Sequence, residues 1–230
     1  MIDRPCSDCN VAPSFAAPAQ RAQRSSCVQA RTMTSALEHA HQRMFQSLLA
    51  GATDADCADA RLFGALIAAR ACRNELALLG LSSVRLSGLL ARQFPRLHST
   101  EAAALASAAA AVAPLPAAHA QFVATLHALL MRDARPAVSP DDADCVATII
   151  SHACLRPDHL WRDLGLDGRD AVSAMLERYF PALAARNVAQ LRWKKFLAQQ
   201  VAASLGLPAG PAPGCPGCED FGFCFSRQQY

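Results

Sequence analysis

Apolar positions recur along most of this chain at the interval of a helix with one buried face. Beyond Ser35, whose spacing to Glu38 matches a capping box, Leu37, Met44, Phe45, Leu48 and Leu49 keep that interval. It predicts a second helix over about 56–79, with Leu62, Leu66, Cys72 and Leu76 inward and Gly80 as its stop. A third starts at Ser83 and ends before Pro95, and an Ala-rich fourth runs from about Thr100 to Pro114. A fifth spans 117–133, with Phe122, Leu126, Leu129 and Leu130 on one side. The next is the best signposted: Ser139 as N-cap, Pro140 at the first helical position, and Asp141 and Asp142 near the positive end of the helix dipole. A short helix over 169–179 and a last one from Ala182 to about Leu205 complete the series. No run of β-branched residues reads as a strand. The expected fold is all-α, a single helical-bundle-like domain of about eight helices over 33–206, followed by an irregular Cys-rich tail over 207–230 that binds metal.

The first 32 residues break the pattern. "MIDRPCSDCNVAPSFAAPAQRAQRSSCVQART" has turn formers, no helical period and no strand alternation, and is expected to be a disordered tail. Its Arg and Ser, with no acid after Asp8, fit a transit peptide only loosely, and a start at Met33 accounts for the segment equally well. At 52% hydrophobic residues the remainder can bury a real core, yet no apolar run reaches the roughly 18 residues of a membrane span. A net charge of +3 is too small to imply nucleic acid. Ten cysteines without a secretory signal point to metal binding in a reducing cytoplasm rather than to a disulfide framework.

In "LRWKKFLAQQVAASL", Trp193, Phe196, Leu197, Val201 and Leu205 share one side of a helical wheel, and Arg192, Lys195 and Gln199 the other. The bland reading is a core stripe with a solvated basic back. The sharper one is a basic face for an acidic partner or a small tetraoxoanion.

Cys215-x2-Cys218-x5-Cys224 lies in a loop where Pro213, Pro216, Gly217 and Gly222 let the backbone fold tightly. Thiolates select zinc, copper(I) or iron–sulfur clusters. One pair, one single and no following His fit a simple zinc knuckle poorly and unequal cluster spacing better. Other ligand candidates are His152, Cys154 and His159, which flank Pro157, and the N-terminal pair Cys6 and Cys9. For Cys154 a small buried core residue is the competing account.

"DHLWRDLGL" at 158–166, "RYFPALAARN" at 178–187, "RWKKFLAQQ" at 192–200 and "CPGCEDFGFCF" at 215–225 together resemble the NifQ family of nitrogen-fixation proteins. The resemblance is strong over about 145–225, fainter over 79–95 and absent from the first 30 residues. It implies a cytoplasmic molybdenum carrier rather than an enzyme, holding a molybdenum–iron–sulfur cluster for iron–molybdenum cofactor biosynthesis. The implied partners are the nitrogenase iron protein and the cofactor scaffold complex, with no membrane and no nucleic acid. The family motif Cys-x4-Cys-x2-Cys-x5-Cys places the ligands at Cys215, Cys218 and Cys224, and Gly210 stands where it has its first cysteine. Around this cluster Arg192, Lys194 and Lys195 are expected to form a basic surface. Trp193 and Phe196 are expected to pack the helix, and Phe221 and Phe223, next to Asp220, to shield the metal.

Two other functions compete. One is a zinc-stabilised helical interaction module that contacts a partner protein or nucleic acid. The other is a molybdate-handling or sulfur-transfer enzyme with a reactive cysteine. The sequence has no Gly-rich phosphate loop and no nucleophile–base constellation at a recognisable spacing.

Overall fold

The computed structural model describes residues 18–110 and 114–225, with side chains from Ser35 onward. The chain divides into two units, Met1–His39 and Ala40–Tyr230. Helix α1, Pro18–Gly51, begins in the first and ends in the second. The sequence pattern reads no helix before Ser35, whereas this one begins at Pro18. Proline is compatible with a first helical turn, and no Pro or Gly follows Pro18 before Gly51. Ser35 lies inside this helix and is not a cap; its carbonyl and hydroxyl both lie within hydrogen-bonding distance of His39 Nδ1, at 2.6 and 3.3 Å. Cys6 and Cys9 fall outside the described residues.

In the second unit, α2 (Ala58–Ala71), α3 (Ser83–Gln93), α4 (Ser99–Ala108), α5 (Ala117–Arg132) and α6 (Pro140–Ala153) follow in order. After them come α7 (Leu160–Leu164), α8 (Arg169–Tyr179), α9 (Pro181–Ala185), α10 (Trp193–Ser204) and α11 (Phe221–Cys224). There is no strand among the described residues, as the all-α reading requires.

Two of the long helices expected from the pattern are broken in two. The helix over 56–79 divides at Asn74, which takes a left-handed φ of 57° and leads into a 3-10 turn over Leu76–Leu79. The helix from Ala182 divides into α9 and α10. Asn187 fills the gap by donating to Leu191 O and accepting from Leu191 N, both at 2.9 Å. A side chain that satisfies loop backbone this way competes with continued helix. Apolar periodicity cannot register either break, since the residues after each return to the core.

α6 is the central element. Nine of its consecutive or near-consecutive residues from Ala143 to Ala153 are small or aliphatic, and nearly every face is buried. It packs against α5, α3, α7 and the 3-10 turn. Ser139 caps it by accepting from the Asp142 amide, as its sequence signals. Asp142 is itself buried and accepts from Arg92 Nε at 2.9 Å and Gln93 Nε2 at 2.7 Å. No helix among the described residues is long and apolar enough to cross a membrane.

Asp59 on α2 ties that helix to α8. It accepts from Arg178 Nε and Nη2 and from the buried Tyr179 hydroxyl, each at 2.6 Å. Arg178 holds the carboxyl below its ordinary range. A carboxyl depressed in the folded state adds stability above its unfolded pKa and loses it as pH falls through the folded one. Urea titration of an Asp59→Asn variant is expected to show a loss of about 1–3 kcal/mol at pH 7. The difference from the parent shrinks as pH drops below about 4.

Candidate functional site

The three cysteines of the C-terminal segment sit in short, defined turns. Cys215 opens a 3-10 turn, Cys215–Gly217, and Cys224 closes α11. The turn is tightened by Cys215 N to Ala212 O and Cys218 N to Cys215 O, both 2.9 Å. Cys215 is buried, and Cys218 and Cys224 are half-buried. All three line one cavity of about 370 Å³, together with His159, Trp161, Arg192, Lys194, Lys195 and Phe225.

The turn rests on a shelf made by residues 154–158. Gly214 N donates to Cys154 O at 3.0 Å. A Cβ at Gly214 would lie 2.0 Å from Arg156 O, and one at Gly217 would lie 2.5 Å from Pro157 Cβ. Glycine is needed here for close approach of backbone to backbone rather than for an unusual dihedral. That is why "GCPGC" and the Arg156-Pro157 pair belong to one site although nearly sixty residues separate them.

A cluster of charges lies beneath the shelf. Lys194, only 7% exposed, donates from Nζ to Arg156 O at 2.8 Å, to Asp158 O, and to Asp163 Oδ2 at 2.6 Å. Asp163, equally buried, also accepts from Arg156 Nε at 3.1 Å and from Arg70 Nη2. Arg70 reaches Glu75 at 2.7 Å from its other nitrogen.

Cations on the outer side hold the x5 loop down. Arg192 pairs with Asp220 and covers the Phe223 ring at 5.1 Å. Arg162 pairs with Glu219 at 2.7 Å, and His159 lies 3.3 and 3.2 Å from Glu219 and Asp220. Lys195 Nζ donates to Cys224 O at 2.6 Å and sits 5.1 Å from the Phe225 centroid.

The basic surface expected at Arg192, Lys194 and Lys195 is therefore corrected. Both lysines are buried: Lys194 points onto residues 156–163, and the C-terminal segment folds back over Lys195. One signal was present: at about 100° per residue, Lys194 falls on the wheel between Val201 and Leu205, inside the apolar stripe. Asp163 and Arg70 carry no comparable signal.

The aromatic assignment is corrected too. Phe223 is 71% exposed, while Phe225 lines the cavity and packs on Phe221 at 5.1 Å. Four residues apart, 221 and 225 share a helix face, and 223 points away from it. Trp193 and Phe196 do pack the helix, edge to face at 5.8 Å, and the Trp193 indole donates to Ser173.

Of the other ligand candidates, His159 reaches the cavity. Cys154 lies fully buried under the turn, and burial pushes its thiol up to about 12. His152 faces elsewhere: its Nδ1 lies 3.0 Å from Thr148 O, its ring packs against Gly80, and burial lowers its pKa. Gly210 lines a separate groove with Phe122, Val201 and Leu207, and a Cβ there meets nothing within 4 Å.

Burial raises the Cys215 and Cys224 thiols, while Lys194 opposes the shift at Cys215 and Arg192 opposes it at Cys224. Such thiols stay protonated until a metal displaces the proton. No group of three or more His, Cys, Asp or Glu among the described residues converges closely enough to hold a single metal ion. Three thiol donors line one cavity, and thiolates are the donor type that zinc, copper(I) and iron–sulfur clusters select.

The NifQ family model matches residues 65–226, more than half of the chain and the whole of the cysteine site. The chain is 39% identical over 100 residues to Protein NifQ of Azotobacter vinelandii, covering 44% of this chain and 51% of that one. Against the Protein NifQ homolog of Sinorhizobium fredii (strain NBRC 101917 / NGR234) the identity is 41% over 103 residues, 44% of each chain. Protein NifQ of Rhodobacter capsulatus is 34% identical over 92 residues, 40% of this chain and 51% of its own. The chain thus spans about half the length of the curated relatives it matches. No solved structure matches. On a family match that runs from α2 through the last cysteine of the site, the chain belongs to the NifQ family.

Proposed function

We propose that this protein is a molybdenum carrier for nitrogenase iron–molybdenum cofactor biosynthesis, and that its cargo is a molybdenum–iron–sulfur cluster held by Cys215, Cys218 and Cys224. The observation that carries the reading is the meeting of these three cysteines at one cation-backed cavity, within a chain of the NifQ family. Thiolates around such a body add up to net negative charge. Lys194, Lys195 and Arg192, drawn to the same wall of the cavity, supply the opposite sign without being ligands themselves. Molybdate is the incoming form of the metal. The nitrogenase iron protein and the cofactor scaffold complex are the recipients.

The site suits a donor rather than a catalyst. Three thiolates leave part of a cuboidal cluster without a protein ligand, and an open position lets metal leave. Half-buried Cys218 and Cys224, and a one-turn helix held mainly by side-chain ion pairs, place the cargo near solvent and near an approaching partner. An exposed cluster of this kind is oxygen-sensitive, so the protein is handled without air.

The test is iron, molybdenum and visible absorption of anaerobically purified protein beside a Cys215/Cys218/Cys224→Ala triple variant. Both metals and a broad visible absorption are expected in the parent and neither metal in the variant. Colourless, metal-free parent protein after reconstitution with iron, sulfide and molybdate overturns the reading.

A Gly210→Cys variant separates a three-thiolate site from a four-thiolate one. The groove has room for the side chain, so the variant is expected to fold as the parent does. Its added thiol is expected to react with a disulfide reagent equally in unloaded and cluster-loaded protein. Protection that appears only on loading would make position 210 a ligand.

A further inference from the structure

Three cations, Arg70, Arg156 and Lys194, meet two carboxylates, Asp163 and Glu75, under the cysteine turn; Arg70, Lys194 and Asp163 are buried, and Arg156 and Glu75 are partly exposed. An ion cluster in a core is costly to desolvate, and hydrophobic replacements of equal volume often stabilise a protein as well or better. Its retention calls for a reason other than stability. What it touches supplies one. The three protons of the Lys194 ammonium meet three acceptors, and two of them are main-chain carbonyls, Arg156 O and Asp158 O. Those carbonyls belong to the shelf. Arg156 fixes the same segment from the other side, donating to Leu78 O at 2.9 Å and to Asp163. The Gly214 backbone lies directly on Arg156, and the Gly217 backbone lies on Pro157.

We propose that Lys194 is the positioning residue of the cysteine site: its buried ammonium sets the height and orientation of the 156–158 backbone, and through Gly214 and Gly217 the placement of Cys215 and Cys218. The inference rests on the cluster-carrier reading for its purpose, but its geometry concerns the protein without cargo. Lys194 is no ligand, since ammonium has no lone pair to give. Its charge also faces the thiolates that form on loading, so one group does two things. It holds the shelf that spaces the sulfurs, and it offsets the charge that the loaded site acquires. Methionine at 194 keeps the stem and loses both. Asp163 retains Arg70 and Arg156 in that variant, so the core charge is not stranded.

The experiment combines amide hydrogen exchange of the unloaded protein with iron content and visible spectrum after anaerobic reconstitution, for the parent, Lys194→Met, Lys194→Arg and Gly214→Ala. In Lys194→Met, amides over 154–158 and 214–218 are expected to exchange about 10–100-fold faster, the factor set by losing charged hydrogen bonds. Amides of α5 and α6 keep parent protection, and the reconstituted spectrum is lost or altered. Gly214→Ala gives the same loss over 214–218 with Lys194 intact, and Lys194→Arg restores part of the protection and the spectrum. Unchanged exchange and an unchanged spectrum in a folded Lys194→Met protein overturn the proposal. Should that variant fail to fold, Gly214→Ala tests the shelf contact by which Lys194 places the cysteines: parent behaviour there overturns the proposal, and loss at 214–218 supports it. Faster exchange in the variants alongside a parent that takes up no iron would sink the carrier reading and leave the positioning role standing. The reverse, a loaded parent and indifferent variants, would do the opposite.

Discussion

A single carboxylate, Asp163, is the point on which the organisation of this protein turns. It sits on a five-residue helix that has little hold of its own, yet it accepts from residues on α2, on α10 and in the segment after α6. Few apolar contacts impose such directional demands. Hydrophobic burial explains why α6 is wrapped on nearly every side, but area is indifferent to small rotations of a loop. Hydrogen bonds to charged groups are not indifferent, because they weaken steeply with misalignment. The division of labour is therefore physical: the aliphatic core supplies cohesion, and the ion cluster supplies registration at the place where registration matters.

The same contrast explains what the sequence discloses. Helices whose ends are written in local chemistry are legible in it. Ser139-Pro140 opens α6, Gly80 closes the 3-10 turn and Pro95 follows α3, and each feature acts within a few residues of itself. Breaks made at a single residue, by its backbone conformation or by its side chain, are illegible to periodicity. Asn74 and Asn187 each interrupt an apolar rhythm that continues on the far side. The extension of α1 back to Pro18 escapes for the opposite reason: a helix without an apolar stripe leaves no period to detect, only an absence of breakers.

At the site, the cysteines of "CPGCEDFGFCF" that the sequence singles out line one cavity. The spacing alone did not reveal what stands behind it. The 154–158 segment and Lys194 come from separate parts of the chain, and only tertiary structure brings them together under the turn. Lys194 comes nearest to being readable, as a charge placed inside an apolar stripe. A solvated basic back was the natural reading for Lys195, because nothing local tells that a later segment of the chain will cover it. Phe223 and Phe225 changed places for a similarly small reason, the phase of a one-turn helix.

The covering of α10 by the C-terminal segment has a temporal side. Arg70, Arg156, Asp163 and Lys194 all precede Cys215 in the chain, so a ribosome delivers the shelf and its charges before the residues that rest on them. Domains tend to fold as they emerge, N-terminal parts first. The cysteines are thus the last part of the site to be made, and the shelf and charges that seat them stand complete in the chain before them.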